Sequence, residues 1–131
     1  MTDTAISLKV PRGTSIETLR FVNVAAITSG ADKWRHTVTR YCRITDVVVD
    51  SITAGSGGTS DIIDIHLNGT TIYTTQANRP TLLQGDTGMF TEAGEPEVTE
   101  LNVGDIISVD VDQIATTGSA KFTIAIVTVA R

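Results

Sequence analysis

The stretch Asp61-Ile-Ile-Asp-Ile-His-Leu-Asn-Gly-Thr-Thr-Ile-Tyr-Thr-Thr75 restricts the fold more than any other part of this chain. Ile63, Ile65 and Leu67 alternate with Asp64, His66 and Asn68, the period of a strand with one buried face. Asn68-Gly69 supplies the two left-handed residues of a type I′ turn. A two-residue loop there sets Ile65 opposite Ile72 on the buried side. On the other side it sets His66 opposite Thr71 and Asp64 opposite Tyr73. The pattern specifies a hairpin; its exposed face carries no set of groups that reads as an active site.

Composition supports an all-β reading. Aromatic residues make up only 5% of the 131, so the core is built mainly from Val, Ile, Leu and Thr methyls, and β-branched side chains suit pleated sheets. The length fits one domain with a real core. A formal charge of −5 argues against a nucleic-acid binder. The charge is also unevenly spread. Residues 1–43 hold seven Lys/Arg against three acids, and residues 44–131 hold three against twelve. Such a basic edge is suited to an acidic partner, including the acidic part of a neighbouring copy. Cys42 stands alone, which excludes an intrachain disulfide and reads as a buried, inert thiol. No apolar run approaches the roughly 20 residues of a membrane span. The start Met1-Thr-Asp-Thr-Ala5 lacks a signal pattern, so use without secretion through a signal peptide is expected.

Residues 1–20 are polar, with Pro11 and Gly13 breaking regular structure, and read as an extended N-terminal arm before a domain over 21–131. Phe21–Ile27 reads as the first strand, although Ser15–Leu19 also has the composition to open a short helix. Thr28–Asp32 is a turn, and Lys33–Tyr41 is a second strand holding the only Trp, Trp34. Cys42–Ile52 is a third strand whose Val47–Val49 run signals a bulge or burial on both faces. Ala54–Thr59 is a glycine-rich connection without the Lys-Ser/Thr ending of a P-loop. A short strand is expected at Thr81–Gln84, followed by a long acidic loop over 85–100 with Met89 and Phe90 at its centre. Ile106–Asp112 and Lys121–Val129 close the domain, with Ile107, Val109, Val111, Phe122, Ile124 and Ile126 facing inward. About eight short strands and no long helix predict a jelly-roll-like antiparallel β-sandwich.

Groups that could carry chemistry are scattered. Asp110 and Asp112 share a strand face, where Asp61, Asp64 and Asp105 could join them, but there is no EF-hand loop or similar repeat for Ca²⁺. They read as solvated aspartates of the outer face. His36 and His66 lack metal-ligand spacing, so no metal is expected. No serine sits in a nucleophile elbow, and an enzyme is not expected; neither is a cofactor. Lys33-Trp-Arg-His36 with Arg40-Tyr-Cys-Arg43 is the one basic and aromatic cluster. It reads first as a core or interface Trp flanked by exposed cations and second as a stacking site for a ring. Lys9, Arg12, Arg20, Lys33, Trp34, Arg35, Met89 and Phe90 are therefore the candidate partner-contact residues.

The hairpin, Asn78-Arg79-Pro80 and Val103-Gly-Asp-Ile-Ile-Ser-Val-Asp-Val-Asp-Gln113 together resemble small β-sandwich structural proteins of tailed bacteriophages. The shared patterns are DI-x-x-NG-x-TI-x-TT, a following RP, and GD-x-x-x-VDVDQI. The resemblance covers roughly residues 34–129 and describes turn geometry rather than catalysis. It implies a virion component, assembled in the host cytoplasm, such as a capsid decoration (cement) protein. Its expected partners are copies of itself in a homotrimer and the major capsid protein, with no nucleic acid or membrane. The alternative is a receptor- or carbohydrate-binding module of a tail or fibre, with Trp34, Tyr41 or Tyr73 as its platform.

Overall fold

Period-2 patterning continues through most of the chain, and the computed structural model, which describes residues 15–82, 91–92 and 94–131, is built of strands. In chain order these are β1 (Ile16–Asn23), β2 (Gly30–Thr37), β3 (Cys42–Thr53), β4 (Asp61–Leu67), β5 (Thr70–Thr71), β6 (Thr81–Leu82), β7 (Thr91–Glu92), β8 (Glu100–Leu101), β9 (Ile106–Gln113) and β10 (Ala120–Ala130). A 3-10 turn, Gln76–Asn78, lies between β5 and β6.

Each sheet has five strands. The first runs β1-β10-β3-β7, with β8 also on β3; the second runs β2-β9-β4-β5, with β6 also on β4. Every pairing is antiparallel. The chain alternates between sheets as β1 | β2 | β3 | β4–β6 | β7–β8 | β9 | β10, which is the jelly-roll winding. The expected sandwich is thus observed. Its strand total exceeds the expected eight by β7 and β8, two-residue strands within and at the end of the expected 85–100 loop.

The core lies between the two sheets. Ile63, Ile65, Val109 and Ile107 from one sheet face Phe122, Ile124, Ile126, Val47 and Val49 from the other, all essentially inaccessible. The inward positions read from β9 and β10 hold. Cys42 is buried, and burial pushes its thiol pKa up. A register shift between Val127 and Thr128 puts a bulge in the β10–β3 ladder just before the Val47–Val49 run.

Several boundaries differ from those expected. The first strand starts at Ile16 and pairs along its length with β10, from Ile16 opposite Val129 to Asn23 opposite Phe122. Residues 15–19 are therefore not a helix: the alternating Leu19 and Phe21 face the core, and ladder pairing outweighs local helix preference. Residues 16–20 of the expected arm belong to the sheet, while 1–14, including Lys9 and Arg12, lie outside the described residues. β2 begins at Gly30 within the expected turn, with Asp32 at φ 56. The expected 85–100 loop contains β7 and ends in β8; Met89 and Phe90 lie outside the described residues.

Asp61 ties the end of the glycine-rich connection to the segment between β9 and β10. Fully buried, it accepts from the N–H of Ala115 (2.9 Å), the N–H of Ser119 (3.0 Å) and the hydroxyl of Ser119. Ser56 and Thr117 bridge beside it. Gly57, at φ 100, lies where an added Cβ would come within 2.2 Å of Thr116 Cβ.

Candidate functional site

The type I′ turn forms as its dipeptide requires, with Asn68 at φ 51 and Gly69 at φ 87. His66 stands opposite Thr71, and the N–H of Ile72 donates to the carbonyl of Ile65 at 2.9 Å. The tip is pinned to the start of β9. Asn68 N–H donates to the Ile106 carbonyl, Ile106 N–H donates back to Asn68 Oδ1 (2.9 Å), and Asn68 Nδ2 donates to Asp105 Oδ1 (3.1 Å). Asp105 Oδ2 also accepts the N–H of Asn102 at 2.8 Å. These hydrogen bonds, that from Asn102 foremost, hold the Asp105 carboxyl below the usual carboxylate range.

Farther along β4, Asp64 lies directly across from Asp110 on β9. Like charges in facing positions repel. His66 relieves the conflict, because its Nε2 is 3.3 Å from Asp64 Oδ2 and 3.3 Å from Asp110 Oδ2. The remaining oxygens are taken as well. Thr71 Oγ1 donates to Asp64 Oδ1 (2.6 Å), and Asp32 N–H donates to Asp110 Oδ1 (2.7 Å). One imidazole and two carboxylates therefore link β2, β4, β5 and β9.

Arg79 completes the patch. It pairs with Asp112 Oδ2 at 2.6 Å and donates through Nε to the Gln76 carbonyl, while Gln113 Nε2 donates to the Ser60 carbonyl. The two separated sequence patterns, NG…RP and GD…VDVDQ, thus meet residue against residue on one sheet. Beside them is an open depression of about 420 Å³, lined by Ala31, Asp32, Arg35, His66, Asn68, Gly69, Ile106, Ser108 and Asp110. A second hollow of about 280 Å³ lies between Ile44–Val47 and the 94–99 segment, with Asp46 and Glu95 on its wall.

Two features of this face differ from expectation. Asp61 and Asp64 are buried rather than solvated, and Asp61 joins a different network from Asp64 and Asp110. Tyr73 is fully buried instead of facing outward opposite Asp64. Thr71 Oγ1 accepts the N–H of Tyr73 at 3.0 Å, ending β5 in a local turn that sends both Ile72 and Tyr73 inward. The Tyr73 hydroxyl has no hydrogen-bond partner among the described residues, and burial raises its pKa.

The candidate contact residues that are described do not converge on one cleft. Trp34 is half-buried, with its ring 6.4 Å from that of Phe21 on β1, so it packs the β1–β2 side of the sandwich. Lys33 and Arg35 point out from the opposite face of β2. Lys33 donates to Thr28 Oγ1 at 2.8 Å, and Arg35 lies 3.7 Å from Asp32. Arg20 is exposed on β1. Tyr41 is exposed, with the Arg131 guanidinium 5.6 Å above its ring. The described residues contain no group of three or more His, Cys, Asp or Glu side chains that could hold a metal ion.

No family model matches the chain, and no curated protein matches it. Among solved structures, a chain of "Cyanophage Pam1 capsid asymmetric unit" is similar at 14% identity and a TM-score of 0.40, over 98% of this chain and 94% of that one. A superposition that loose bears on the role of neither chain.

Proposed function

We propose that this chain is a structural virion protein, a capsid decoration protein that works by contact with other proteins. The observation that carries the reading is how the two phage-like patterns are used. Asn68, His66, Arg79, Asp105, Asp110 and Asp112 are joined to one another or to backbone, so they stiffen a sheet and present no aligned reacting groups. The result is a rigid jelly-roll wedge. Its contacts come from the segment before β1 and from the molecule's sides, and identical copies multiply a weak contact into firm occupancy. The homotrimer implied by the resemblance belongs to this proposal, as does contact with the major capsid protein.

A glycan-binding role draws less support. Of its three aromatic candidates, Tyr73 is inside the core, Trp34 packs on Phe21, and Tyr41 is covered on one face by Arg131.

The test is reconstitution on undecorated heads of the parent phage, with bound copies counted per head. Deletion must stop at residue 14, because Ile16 begins β1. Removing 1–14 should preserve the thermal transition and lower occupancy. If the full chain does not bind heads, the decoration reading fails. If the truncated chain binds at full occupancy, the contact role of that segment fails.

A further inference from the structure

Strands β1 and β2 are the edges of the two sheets on the same side of the sandwich, joined by the Phe21–Trp34 contact. Among the described residues, only β2 combines an irregular backbone with outward charge. On β2, Asp32 takes a positive φ, the register against β9 shifts between Gly30 and Trp34, and Lys33 points outward. Bulges and edge charges of this kind keep strands from recruiting others. β1, in contrast, is eight uninterrupted residues, IETLRFVN, with no glycine, proline or positive φ.

The ladder on its inner side fixes what its outer side offers. Ala130 N–H donates to the Ser15 carbonyl, and Ile16 stands opposite Val129. Odd-numbered residues of β1 therefore turn their backbone groups to β10, and Ile16, Thr18, Arg20 and Val22 turn theirs to the open edge. Among the described residues, nothing bonds to those four on that side. The same positions expose apolar surface: Ile16 is 69% and Val22 58% accessible. Leu19 and Trp34 are left half-buried at this side of the core.

We infer that β1 pairs antiparallel with β1 of a second copy of this chain, about a two-fold axis through Leu19. A two-fold axis normal to the sheet keeps each face on its own side, so facing residues must have numbers of equal parity. An axis at Arg20 would oppose two guanidinium groups. An axis at Thr18 would leave Val22 facing beyond the partner strand. The axis at Leu19 sets Ile16 against Val22 and Thr18 against Arg20, twice over. These even-numbered pairs are the ones whose free N–H and C=O groups are available, so each exchanges two hydrogen bonds. The first sheet then runs continuously through both copies. The contact goes beyond the virion reading and does not depend on it; in a trimeric decoration protein it joins neighbouring trimers instead of building one.

The full chain with Thr18→Pro tests this, because proline there removes an N–H from the open edge and leaves the β10 ladder in place. Its mass by sedimentation equilibrium should fall, two-fold if the chain is otherwise monomeric and by at least two-fold, to that of the isolated trimer, if it is trimeric, with the β-sheet circular dichroism retained. A second variant keeps the wild-type edge backbone. I16C/V22C should form a disulfide-linked dimer on mild oxidation, since hydrogen-bonded pairs about 5.5 Å apart at Cα suit a disulfide. Either single cysteine should not, and Cys42 is buried. Unchanged mass in a folded Thr18→Pro protein overturns the pairing. So does I16C/V22C cross-linking no better than the singles, which decides the matter if the proline variant fails to fold. Binding to heads is read separately, so neither result touches the decoration proposal.

Discussion

On the sheet built around β4 and β9, nearly every polar group of the hairpin is partnered, whereas β1 on the other sheet turns a row of backbone groups and two large aliphatic side chains outward. Both regions are regular β-structure. They differ in where their bonding capacity is spent. The hairpin patch uses charge to fasten one strand to the next, so its residues matter to stability. The β1 edge contributes Leu19 and Phe21 to the core and leaves the rest available. A residue's polarity therefore says little about its role here: the charged patch fastens strand to strand, and the aliphatic edge is the surface we infer to pair with a second copy.

Substitutions on the β4–β9 sheet and its connections rank by how much buried bonding each removes. The largest loss should follow Asp61→Ala, which strands two buried N–H groups and a hydroxyl and should cost about 3 kcal/mol in urea unfolding. A loss under about 1 kcal/mol would show that the connection is held otherwise. His66→Ala leaves Asp64 and Asp110 facing each other without their bridge and should cost about 1–2 kcal/mol. Arg79→Ala, at a partly exposed pair, should cost about 1 kcal/mol or less, and less still in high salt.

Asp105 gives a pH signature to the same patch. Its carboxyl is held low in the folded protein, so its contribution is present above the ordinary carboxylate pKa of about 4 and disappears as pH falls through the lower folded value. Asp105→Asn should flatten the stability profile on the acid side, and an unchanged slope would contradict the assignment. Tyr73→Phe should have the smallest effect and the opposite sign. Removing a buried hydroxyl without a partner should leave stability unchanged or raise it by up to about 1 kcal/mol.

Much of the fold was legible because its signals are local. Asn68-Gly69 dictates its own turn, and the alternating apolar residues of β9 and β10 face inward wherever a second sheet covers them. The start of β1 was not legible, since Ile16–Leu19 becomes a strand only through its pairing with β10, more than a hundred residues away in sequence. The fates of Asp64 and Tyr73 were hidden for a related reason. Asp64 is buried by Asp110 and His66 across a long-range ladder, and Tyr73 turns inward on a hydrogen bond to Thr71 that ends a two-residue strand. β7 and β8 are too short to carry a pattern at all. The three contact sets, Asn68 with Asp105, Asp64 with Asp110 through His66, and Arg79 with Asp112, did leave a trace: apart from His66, their members are the polar letters of the sequence patterns quoted above. Their mutual contact required the register of β4 on β9.

The structural role of the hairpin patch is read most directly by counting copies of His66→Ala bound per reconstituted phage head, at a temperature where the variant is fully folded. Full occupancy, despite a lowered unfolding midpoint, is the result expected of a patch that stiffens the sheet. Loss of binding by the folded variant would make that patch the docking surface and contradict the account.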